Sequence, residues 1–251
     1  DIYGDMRVFG NGALTSLEAL ASLTVLWGSL QVSSAPSLES LHGLEGLSEV
    51  FGHVLISDNQ GLTTLTGLDH IETVGSLLLR DNDSLEGLQG LDSLRSIDEE
   101  LALIGNPSLA SLRALESVDG LDGDLTIRDN SSLTVLAGLD GLEEVVGNVS
   151  ITDNPSLVSF DGLHALNGID GSLTVVANPT LAELDLLGLI EIGGDLWIEG
   201  NASLAQIAGL GSLREVGGGV DVSDNDALSS LSAGGLETVG GHLAVQGNPL
   251  L

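Results

Sequence analysis

Apolar residues in this chain keep two rhythms. Between Asn106 and Asn130 they fall first at Leu109, Leu112, Leu115, Val118 and Leu121, every third residue, and then at Leu125 and Ile127, every second. The second rhythm sends two side chains to one face of an extended segment and Thr126 to the other, which is the period of a strand. The first rhythm suits a helix poorly. At about 100° per residue, a long series of threes drifts around a helix and leaves no stripe. Short turns, 3₁₀ pieces or extended segments that drop one apolar side chain inward at each third residue satisfy it better.

The whole pattern recurs. An asparagine follows the strand at Asn11, Asn59, Asn82, Asn106, Asn130, Asn154, Asn178, Asn201, Asn225 and Asn248, with Ala35 where one more falls. Counted through Ala35, the intervals are 24, 24, 23, 24, 24, 24, 24, 23, 24 and 23 residues. A period this short is one solenoid coil. The chain is therefore expected to be mainly β: a single parallel β-solenoid domain over residues 1–251, with about eleven coils of 23–24 residues.

One coil cannot bury its own leucines, but stacking coils about 4.8 Å apart gives each inward residue a like neighbour above and below. The marker asparagine is expected to take a left-handed corner after the strand and to bond along the stack. Two sets of glycines are expected at corners with positive φ: Gly52, Gly75, Gly123, Gly147, Gly171, Gly194, Gly218 and Gly241 before strands, and Gly43, Gly67, Gly138 and Gly162 in Gly-Leu pairs. The Gly-Leu pair slides two places within residues 181–190, which predicts a local bulge. Trp27, at a corner, is expected in the core.

Residues 74–82, VGSLLLRDN, carry the LxxLxLxxN spacing of leucine-rich repeats. The longer unit GxLxIxxNxxLxxLxGLxxLxxV, with a glycine opening the strand, resembles the repeat of receptor L domains and related bacterial surface repeats. The resemblance covers the whole chain. It implies a right-handed parallel solenoid and an extracellular or cell-surface role in ligand binding or adhesion. The chain departs from that family in having no cysteine, in the uniformity of its coils and in their number.

Charge narrows the partners. Thirty-seven acidic residues stand against six arginines and no lysine, a net charge of −31, so nucleic acid is not expected as a partner and anionic membrane surfaces are poor ones. Solubility of a repetitive secreted chain, adaptation to high salt and divalent-cation binding each account for this surface. Asp58 with Asp81, and Asp129 with Asp153, precede markers in adjacent coils, and calcium takes such oxygens. A solvated acidic corner is the alternative, because no EF-hand loop or calcium nonapeptide is present. No cofactor is otherwise expected. No signal peptide or apolar run of about 18 residues occurs, so no membrane insertion is expected in this segment. Strands without a polar capping coil lie at both ends, which predicts either a block of a longer chain or self-association end to end.

The strands' outward side chains form the natural recognition face. Between the inward pair lie Arg7, Gln31, Leu55, Leu78, Ala102, Thr126, Ser150, Thr174, Trp197, Asp221 and Ala244. The next outward column holds Phe9, Ser33, Ser57, Arg80, Ile104, Arg128, Thr152, Val176, Glu199, Ser223 and Gln246. Leu55, Leu78, Arg80, Ile104 and Arg128 make an apolar patch with two arginines, suited to a carboxylate or acidic glycan. Pairing of Arg80 and Arg128 with Asp81, Asp129 or other neighbours is the competing account. Trp197 beside Glu199 is placed to stack a sugar ring or meet a partner.

The five histidines do not converge, and no zinc spacing, nucleophile elbow or phosphate loop occurs, so no enzyme is expected. The reading is a non-catalytic binding or adhesion module for a protein or glycan ligand. A structural spacer or self-assembling stalk is the alternative, and a polysaccharide-acting enzyme comes third.

Overall fold

In the computed structural model, which describes residues 1–251, each coil gives one four-residue strand to an eleven-stranded parallel sheet. The strands stack in chain order from Met6–Phe9 to Leu243–Gln246. The register keeps like with like: Leu101, Leu125, Val149 and Leu173 face one another across four strands, as do Leu103, Ile127, Ile151 and Val175. A row of two-residue strands, from Thr73–Val74 to Thr238–Val239, forms an eight-stranded parallel sheet, and Val25–Leu26 pairs with Glu49–Val50 in the same row nearer the N-terminus. The expected parallel β-solenoid is the fold.

The three-residue rhythm has a hydrogen-bond cause. The N–H of Leu109 donates to the carbonyl of Asn106, that of Leu115 to Leu112 and that of Val118 to Leu115, at 2.9–3.0 Å. Each such bond closes a tight turn that returns every third side chain to the interior. At Glu18–Leu20 and Arg113–Leu115 the turns become short 3₁₀ segments. The inward residues merge into one core of 65 buried side chains along the molecule. Burial of each leucine contributes about 1.5–3 kcal/mol, and no disulfide is present to assist.

Beside this core runs a buried amide ladder. Eight markers, Asn59 through Asn225, have no exposed surface. The backbone N–H of Asn106 donates to Asn130 Oδ1 at 3.2 Å, and the N–H of Asn130 donates to Asn154 Oδ1 at 3.1 Å. Each Nδ2 also reaches back to a strand carbonyl of the previous coil, as from Asn130 to Leu103 at 2.8 Å. The expected bonding along the stack is present, but the left-handed corner lies one residue earlier. Gly10, Ser34, Asp58, Asp81, Gly105, Asp129, Asp153, Ala177, Gly200, Asp224 and Gly247 hold φ between 54° and 69°, and the asparagines do not. The chain reverses before the marker so that the amide can enter the stack. Glycine and aspartate tolerate that reversal best.

Three further expectations need correction. The pre-strand glycines are not at positive φ; a Cβ at Gly123 would overlap the carbonyl oxygen of Glu99, and one at Gly171 would stand 2.6 Å from that of Gly147. They are glycine because adjacent coils touch there. The Gly-Leu glycines do need positive φ, from 108° to 118° at Gly43, Gly67, Gly90, Gly138 and Gly162. Residues 181–190 hold no simple bulge: Glu183–Leu184 opens a three-stranded ladder with Gln206–Ile207 and Ser230–Leu231. Trp27 lies outside the core, 52% exposed, because its corner turns the side chain outward between Tyr3 and Phe51.

Candidate functional site

The main sheet places the predicted face residues in two straight columns. Ser57, Arg80, Ile104 and Arg128 are successive register partners, and so are Leu55, Leu78 and Ala102. Arg80 and Arg128 therefore lie two rungs apart, about 9.6 Å, with Ile104 between them. Leu55, Leu78 and Ile104 are half-buried. Ala102 is fully covered between its larger neighbours Leu78 and Thr126, so it is a floor rather than a contact.

The arginines differ in their pairing. Arg128 Nε lies 3.2 Å from Oδ2 of Asp129, its sequence neighbour. Arg80 leaves Asp81 aside and meets Glu100 of the following coil at 4.0 Å, while its buried Nε has no hydrogen-bond partner. Both pairs are solvent-exposed, and such contacts contribute at most about 1 kcal/mol. An incoming carboxylate competes with them on nearly equal terms.

Trp197 and Glu199 stand apart from this patch. Thr152 and Val176 separate Glu199 from Arg128 in one column, as Ser150 and Thr174 separate Trp197 from Thr126 in the other. Three rungs make that about 14 Å. Trp197 is 47% exposed, and its indole N–H donates to Glu199 Oε2 at 2.7 Å. A shallow cleft of about 210 Å³ opens beside it, bordered by Asp195, Asp221 and His242. Asp221 Oδ1 is buried there without a partner. Sequence reasoning did not join Asp221 and His242 to Trp197, although the coil period brings both columns to this cleft.

No group of three or more His, Asp or Glu side chains is placed to hold a metal ion. Asp58, Asp81, Asp129 and Asp153 instead occupy the left-handed corner positions. No helix is long and apolar enough to cross a membrane. No protein-family model matches the chain, and no curated protein matches it in sequence.

Proposed function

We propose that this solenoid is a non-catalytic recognition module of the extracellular or cell-surface kind. It holds a protein or glycan ligand against its strand face, as in the leucine-rich and receptor-L-type repeats it resembles. The observation that carries this reading is the column Arg80, Ile104 and Arg128 beside Leu78 and Leu55. It is a cationic and apolar patch on a molecule of net charge −31, held by a rigid sheet and neutralised only by exposed ion pairs. Arginines carried on strands two rungs, about 9.6 Å, apart suit separate carboxylates of an acidic polymer.

The test is calorimetric titration with an acidic oligosaccharide such as oligogalacturonate at low salt. Replacing both arginines, R80Q with R128Q, is expected to weaken binding about tenfold or more and to leave the melting temperature unchanged. Unchanged affinity overturns the assignment. Light scattering separates the alternative of end-to-end assembly, for which growth with protein concentration and without ligand is the expected result.

A further inference from the structure

Tyr3, Trp27 and Phe51 occupy one column at 24-residue spacing, and their rings stack. Centroids are 6.3 and 4.6 Å apart, with planes 7° and 12° from parallel. The column is the first residue of the corner between each short strand and its main strand. That corner has three residues between Leu26 and Leu30, between Val50 and Val54, and again between Ile97 and Leu101. Between Val74 and Leu77 it has two, Gly75 and Ser76. The strands on either side remain in register, with Val54, Leu77 and Leu101 aligned and Val74 opposite Ile97. Gly75 takes the place of Gly52, to whose carbonyl its N–H donates at 2.9 Å.

This coil therefore has no residue at the ring position. The next member of the column is Asp98, two rungs beyond Phe51, or about 9.6 Å. A planar group needs carbon contact of about 3.5–4.0 Å on each side, so one such group fits between them. An open groove of about 540 Å³ occupies the place, with Phe51, Glu49, His70, Glu72, Gly75 and Asp98 in its lining. The exposed ring of Phe51 is thus the last built rung of an aromatic ladder whose next rung is empty.

We infer that this groove is a binding slot for a planar cation, the guanidinium of an arginine on a basic polypeptide, which completes the ladder. The face of Phe51 carries the negative lobe of the ring quadrupole, and a guanidinium stacks flat on it. Glu49, Glu72 and Asp98 offer carboxylates around the rim, which a planar fork of N–H donors engages and a lysine ammonium engages less well. No arginine of the chain lines the slot, so no guanidinium of its own fills it. The net charge of −31 draws a basic partner toward it. A neutral sugar presents a flat face too, but gains nothing from the charge of the rim. The slot lies off the main strand face and takes the opposite charge from the Arg80 and Arg128 patch.

The experiment follows the Trp27 indole and Phe51 ring signals by NMR on the full chain. It titrates N-acetyl-arginine methylamide at low salt and compares the matching lysine compound and methyl glucoside. The arginine compound is expected to shift both rings at about threefold or more lower concentration than lysine, and to lose affinity as salt rises. Inserting a phenylalanine between Val74 and Gly75 restores the three-residue corner and fills the slot, and is expected to abolish the shifts. Phe51→Ala and Asp98→Asn alter exposed side chains only; each is expected to weaken binding about threefold or more, so the test survives a misfolded insertion. The inference is overturned if the arginine compound shifts neither ring, if these variants bind like the parent, or if methyl glucoside acts at lower concentration.

Discussion

Replacing Asn130 by alanine isolates what the amide ladder contributes. The Asn130 side chain accepts the N–H of Asn106 and donates to the carbonyls of Leu103 and Arg128, at 3.2, 2.8 and 3.0 Å. In Asn130→Ala the Asn106 N–H is left without its acceptor and the Leu103 carbonyl without its amide donor, in a stack that water does not enter. Each orphaned buried group costs about 1–3 kcal/mol, so the expected loss is about 2–6 kcal/mol. The chain already contains the contrasting case. Ala35 omits the same amide, but the groups it would have served belong to the first coil, where Asn11 is exposed and Val8 half-buried, so water reaches them. Accordingly Asn11→Ala is expected to cost under about 1 kcal/mol. Urea unfolding monitored by circular dichroism, with unchanged m-values as the check on comparability, measures both. A cost below about 1 kcal/mol at Asn130, or equal costs at Asn11 and Asn130, refutes the argument that burial of the ladder makes it strong.

Two more outcomes follow from contacts already described. Gly123→Ala is expected to destabilise by about 1–3 kcal/mol, since its Cβ overlaps the Glu99 carbonyl, whereas Gly12→Ala, with open space around it, stays within about 0.5 kcal/mol. Thermal melts of the pair decide it, and equal effects defeat the close-approach explanation. Asp5 titrates below its ordinary 3.8, chiefly because its carboxylate accepts the N–H of Ser29, with the Arg7 guanidinium adding to this. A depressed carboxyl pKa stabilises the fold above the unfolded-state value, and that stabilisation disappears as pH falls through the folded-state value. An NMR titration of Arg7→Ala is expected to raise the Asp5 midpoint only part of the way; full return to 3.8 would assign the shift to Arg7 instead.

Much of this architecture is visible in the order of residues, and the exceptions share a cause. The asparagine spacing set the coil, and the alternation Leu125, Thr126, Ile127 gave the inward and outward sides, including the exposure of Trp197, although Ala102, Ser33 and Ser223 of the outward columns are covered and Leu243 and Val245 in the last strand are exposed. A corner glycine, by contrast, reads the same whether it supplies positive φ or lets two backbones touch. Gly67 does the first and Gly123 the second, and only the neighbouring coil distinguishes them. The partner of Arg80 escaped for a similar reason, because Glu100 comes from the following coil. The aromatic stack was legible as a 24-residue spacing of Tyr3, Trp27 and Phe51, but each ring taken singly looks like a corner residue. The empty rung was equally countable, as the 23-residue interval from Asn59 to Asn82.

The uniform stacking also bears on how this chain folds. Parallel sheets are ordinarily slow to form because their strands must find partners far along the chain. Here every main strand pairs with strands 23 or 24 residues away, roughly one tenth of the 251-residue length, a relative separation about that of helical bundles. Each added coil closes a loop of the same short length and immediately buries a layer of leucines. The entropic cost of closure is thus divided into equal small steps, and growth can begin at any coil and proceed in both directions.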